Sequence, residues 1–150
     1  MATAIRHIAL FVPNLQEAER YYQRLFSMDL IGREAQMEDN LWYTLPSDKT
    51  WEDARATGIK LSMLALKRGS LVIALFPGNP RPGQIHMIGL NMSSREISRV
   101  RKRLSSDAEI LEDRRKALTV RDHYAVIWQI DGSGAGFRSS GEAHGRWIEV

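Results

Sequence analysis

Apolar and polar residues alternate along this chain in short blocks, broken by two stretches with helical spacing. From Ile5 to Val12 the alternation and the share of β-formers predict a strand, which Pro13 ends. Asn14 followed by Glu17 is a helix-start signature, because each side chain can satisfy an orphan amide of the first turn. Ala18, Tyr21, Tyr22 and Leu25 then form an apolar helical stripe ending near Ser27, with both tyrosines read as helix packing. Leu41 to Leu45 reads as a strand and Pro46 to Gly58 as a polar loop. Ile59 to Leu66 and Leu71 to Phe76 flank Lys67-Arg68-Gly69-Ser70 as a β-hairpin.

Pro77, Gly78, Pro80, Pro82 and Gly83 make a linker, and beyond it the same order recurs. Met87 to Met92 reads as a strand, Ser93 with Glu96 repeats the capping signature, and Ile97, Val100 and Leu104 supply the second helical stripe. Ile110-Leu111, Tyr124 to Ile130 and Trp147 to Val150 are further strands, while the pattern between Glu112 and Asp122 fixes no register. The expectation is an α+β fold of two βαβββ modules in one 150-residue domain. Module one spans about residues 5–76, the linker about 77–85 and module two about 86–150. Neither module can bury its sheet alone, so their pairing is expected to leave a concave surface suited to a ligand.

Composition narrows the functional classes. Hydrophobic residues make up 43% and charged ones 26%, an ordinary globular balance. Without cysteine there is neither a disulfide framework nor a thiolate metal site, which fits a soluble cytoplasmic protein. The apolar run Ile8 to Val12 is too short for a membrane span. A net charge of +3 comes from 21 basic and 18 acidic residues, with the excess around Arg95 to Arg103 and Arg114 to Lys116. Neither interleaved aromatics nor a recognisable module accompanies it, so nucleic acid is not an expected partner. The charge favours an anionic ligand over a cationic one.

The stretch HIALFVPNLQEAERYYQRLFSMDL, from His7 to Leu30, resembles the opening module of the vicinal oxygen chelate superfamily. MIGLNM from Met87 is similar to the opening strand of its second module, and IDGSG from Ile130 with GRWIEV from Gly145 to its closing turn and last strand. That superfamily holds glyoxalase I, extradiol dioxygenases, and fosfomycin- and bleomycin-resistance proteins. The resemblance implies a curved eight-stranded mixed sheet around a central cavity, a homodimer, and in metal-dependent members one divalent ion (Fe, Mn, Ni or Zn). That ion would bind two substrate oxygens and stabilise an enolate or oxyanion.

Carried over by position, His7 and Glu149 stand at ligand positions, whereas Ala74 brings no donor atom. The remaining position depends on register. One alignment puts the thioether of Met87 there, the other puts His86. The first is preferred, because it turns Ile88, Leu90 and Met92 toward the helix and Gly89 and Asn91 toward the pocket. Glu149 is also a candidate general base. Ala74, Met87, Asn91, Trp147 and Arg138 are expected pocket-lining residues, the last on a Gly/Ser-rich loop from Gly132 to Gly145 that could close over a ligand. Three functions stay open: a small-molecule binder with a degraded or absent metal site; a metal-dependent lyase, isomerase or extradiol-type dioxygenase using His7 and Glu149; and a non-catalytic interaction domain.

Overall fold

The computed structural model describes residues 3–79, 81, 84–123 and 125–150. Pro80, Pro82 and Gly83 of the expected linker, and Tyr124 at the head of an expected strand, lie outside them. The described residues form nine strands and four helices, an α+β fold with a mixed sheet. Among them no helix is long and apolar enough to cross a membrane. The chain divides into two compact units. One takes the described residues up to Ala9 with Ile85–Gly136, the other Leu10–Gln84 with Phe137–Val150.

The first unit holds the start of β1 (Ala4–Val12), β6 (Met87–Asn91), α3 (Ser94–Arg103), β7 (Glu109–Arg114), β8 (Ala117–Arg121) and β9 (Ile127–Asp131). Its strands lie in the order β1-β6-β9-β8-β7, with β6 and β9 parallel and the other pairs antiparallel. Ser93 caps α3 by accepting from the Glu96 amide at 3.2 Å. Ile97, Val100 and Leu104 of the helix side pack on Leu90, Met92, Leu118, Val120 and Ile130. One face of this sheet is therefore core.

The second unit holds the end of β1, α1 (Leu15–Phe26), β2 (Asp29–Gln36), β3 (Trp42–Thr44), α2 (Trp51–Ala56), β4 (Met63–Arg68), β5 (Leu71–Pro77) and α4 (Ser140–His144). The strands β3-β2-β4-β5 are neighbours in that order. Leu15, Ala18 and Tyr22 of α1 pack on Leu64, Leu66, Ile73 and Leu75. Tyr21, expected to pack on the helix side, is 59% exposed. On the same side as α1, Arg33 donates two hydrogen bonds to the buried Glu19, at 2.6 and 3.0 Å, and the Trp51 indole donates a third at 3.1 Å. That bidentate geometry satisfies a buried carboxylate.

Several expectations are corrected. Nine strands stand where eight were expected. The sequence reading lacked β2, whose Gly32, Arg33 and Glu34 carry little β-propensity. It also left β8 unassigned. The hairpin's first strand begins at Met63 rather than Ile59. The loop from Pro46 contains α2, started by a capping box between Thr50 and Asp53. Trp147 to Val150 is not a strand: it makes one isolated bridge, Thr44 with Trp147, and groups with the second unit.

Candidate functional site

In the first unit the sheet face away from α3 carries the polar chemistry. The β1 register shifts between Ile5 and His7, so Ile5 pairs with Leu90 and His7 with the next residue, Gly89. The bulge takes up Arg6 and turns His7 away from the face of Leu90. Pairing carries one rung across the unit: His7, Gly89, Gln129, Thr119, Glu112. The neighbouring rung runs Ala4, Asn91, Asp131, Ala117, Arg114.

Polarity alone marks no site, since a sheet face toward water is ordinarily polar. Burial distinguishes this one. His7 is 2% exposed and Thr119 8%. Asn91 Oδ1 is buried and has no hydrogen-bond partner among the described residues. The imidazole occupies the space that a side chain at Gly89 would need, for a Cβ there would stand 2.1 Å from His7 Nδ1. Burial, helped by the nearby positive charge of Arg6, lowers the His7 pKa to about 4. At neutral pH the ring is uncharged, with one donor and one acceptor nitrogen. Arg6 itself lies 3.7 Å from the Asp131 carboxylate. Met87 shares the face of Gly89 by alternation. His86 precedes the strand, donates its amide to Ala9 O at 2.8 Å, and has its pKa lowered by burial.

The second unit has a different interior. Gly32, Ala65 and Ala74 pair in a row, with Ala74 buried. Ser139 lies over Gly32, where a Cβ would meet its Cβ at 3.0 Å. Two residues along, Glu34 is 1% exposed and accepts from the Ser140 amide at 3.3 Å. Burial raises its pKa against the opposing effects of that hydrogen bond and of Arg146. Sequence reasoning missed Glu34 because only Ile31 in its strand is β-branched, leaving no strand signal to place it.

A cavity of about 710 Å³ opens in the same unit, walled by residues 35–39, Tyr43, residues 58–60 and residues 147–149. Trp147 and Glu149 are thus brought together there. The closing segment is held by two backbone hydrogen bonds, Thr44 N to Arg146 O at 2.8 Å and Ile148 N to Thr44 O at 2.6 Å. The Glu149 side chain is exposed, as is Arg138 on the approach to α4. In the structure His7 belongs to the polar face of the first unit and Glu149 to the cavity of the second.

A divalent ion needs several hard donors in convergence. Among the described residues no three His, Asp or Glu side chains are grouped to hold one. Ala74 has no donor, and the Met87 thioether suits hard ions poorly. The donor set does not fit a divalent centre.

No family model matches the chain, and no curated protein matches it. Solved structures do. A hypothetical protein from Bacillus halodurans C-125 is 13% identical, with 93% of this chain and 100% of that chain covered at a TM-score of 0.55. Methylmalonyl-CoA epimerase from Streptomyces coelicolor, in complex with 2-nitronate-propionyl-CoA, is 13% identical, covering 91% of this chain and 98% of that one at 0.51. At such identity the likeness concerns the fold alone.

Proposed function

We propose that this chain, which has the glyoxalase-like fold of the vicinal oxygen chelate superfamily, binds a small organic anion on the polar face of its first unit without a metal. The observation that carries this reading is the neutral imidazole of His7, buried at the head of a polar rung and seated over Gly89. A ring with a pKa near 4 is a weak base at neutral pH, so it serves better as a hydrogen-bonding contact than for proton abstraction. Asn91 on the neighbouring rung, and Gln129 and Thr119 farther along the same rung, carry further donors on that face.

Charge supports the sign of the ligand. The first unit has ten Lys and Arg against seven Asp and Glu, so the whole net +3 of the chain resides there. The second unit has eleven of each. The fold supports extending the reading to a homodimer, which light scattering measures directly, and the absence of cysteine supports the cytoplasm.

A panel of short carboxylates, 2-oxoacids, phosphonates and propionyl-CoA, screened by thermal shift and followed by calorimetry, tests the proposal. At least one compound is expected to raise Tm and to bind about tenfold more weakly to His7→Ala and Asn91→Ala. Binding untouched by either substitution, or no response across the panel, overturns it.

A further inference from the structure

The cavity of the second unit has properties that the polar face lacks. Its charged wall is mostly acidic: Glu38, Asp39 and Glu149 contribute carboxylates, and Lys60 is the single cation among its described wall residues. Its other walls, Gln36 apart, are apolar or aromatic, with Tyr43, Ile59 and Trp147. We infer that this cavity is a separate binding site for a small organic cation, an amine or guanidinium carried on an aromatic or aliphatic body.

Two wall elements are held by packing and hydrogen bonds of the fold itself. Trp147 is 43% exposed, unusual for so large an apolar ring, yet it is not loose. Its indole lies against the backbone of Gly141, where an added Cβ would meet ring atoms Cδ2 and Cε3 at 2.7 Å. Gly141 is itself fixed, its amide donating to Thr44 Oγ1 at 2.7 Å. The ring is thereby seated on Gly141 while it stays partly exposed in the cavity wall, an arrangement that suits a cation and lowers the entropy lost on binding.

Asp39 is held equally firmly. Its Oδ1 accepts from the Leu41 amide at 2.9 Å and its Oδ2 from the Tyr43 hydroxyl at 2.5 Å. The turn that carries it closes through Asn40, at φ 64°, and the Met37 amide donating to Leu41 O at 3.0 Å. Both contacts donate to the carboxylate and so favour its charged form. Glu149 follows the anchored Ile148 in the same lining. A volume of about 710 Å³ is the usual size of a small-molecule site.

The test is a ¹H–¹⁵N titration of the full chain with phenethylamine and with N-acetylarginine amide, against phenylpropionate as the anion of matched shape. Trp147→Phe identifies the Trp147 indole resonance among the four tryptophans. Either cation is expected to shift that resonance with millimolar affinity. Asp39→Asn and Glu149→Gln together are expected to weaken it about tenfold. Both are isosteric exchanges at exposed positions, and unchanged spectra elsewhere report an intact fold. His7→Ala leaves cation binding as it was, so this site and the anion site fail independently. Phenylpropionate binding as tightly as phenethylamine, or no movement of the Trp147 indole up to about 10 mM of either cation, overturns the inference.

Discussion

Gly89 makes room for the imidazole of the first unit, and its missing side chain can be tested directly. A Cβ 2.1 Å from His7 Nδ1 is not tolerable, so Gly89→Ala forces the ring from its seat. The expected loss is about 1–3 kcal/mol in urea unfolding, with anion binding impaired as severely as by His7→Ala. An alanine variant equal to the parent in both would show that the seat is not shaped by the glycine. The same imidazole leaves a signature in pH. Its pKa falls from 6.5 to about 4 on folding, so between those values the unfolded chain binds a proton that the folded one does not. Stability therefore rises with pH across that window and is lost as pH falls through it, by on the order of 3 kcal/mol. Glu34 acts in the opposite sense. Its raised pKa means that the folded protein keeps a proton longer, so stability declines as pH climbs above 4.5. Urea unfolding in steps from about pH 4 to 8 is expected to show His7→Gln flattening the acid limb and Glu34→Gln the other.

At the scale of elements, the helix caps are the firmest link between sequence and structure. Ser93→Ala removes the acceptor for the Glu96 amide and is expected to cost about 1 kcal/mol. Ser93→Asp should restore most of it, and an equal loss in both variants would assign the effect to something other than capping. Those caps, with the stripes of Ala18, Tyr21, Tyr22 and Leu25 and of Ile97, Val100 and Leu104, made α1 and α3 legible from the sequence alone, although Tyr21 and Leu25 are exposed and Leu15 takes their place in the core. The hairpin of β4 and β5 was legible as well, because Leu64, Leu66, Ile73 and Leu75 are consistently apolar. What stayed hidden has a common cause. Glu34, Arg33 and Gly32 make β2 look like a loop, although Arg33 is paired with a buried carboxylate and Glu34 accepts from an amide. Alternation in Trp147 to Val150 mimicked a strand, but a strand needs a ladder, and only one bridge to Thr44 forms. Of the residues in the proposed site, His7 was named through the family resemblance and Asn91 from strand alternation, whereas Gln129 and Thr119 share their face through pairing that no local pattern reveals.

At the scale of the molecule, the uneven charge has a kinetic consequence. A net +3 in the first unit draws an anion inward over distances that salt can screen. Raising ionic strength from about 0.05 to about 0.5 M shortens the Debye length to a few ångströms. Stopped-flow association of the anion identified by the panel should slow accordingly. A rate indifferent to salt would mean that its capture owes nothing to the surrounding field.

The strand β1 also governs when the protein can assemble on the ribosome. Residues Ala4 to Ala9 precede their partners Met87 to Asn91 by some eighty positions. The second unit waits longer still, since Thr44 receives its backbone partners only when Arg146 and Ile148 have been made. Through most of its synthesis the nascent chain must therefore carry the β6-facing edge of β1 and the outward backbone groups of Thr44 unsatisfied, the condition under which stray strand pairing and aggregation arise. Synthesis, rather than the finished protein, is the stage most dependent on a chaperone.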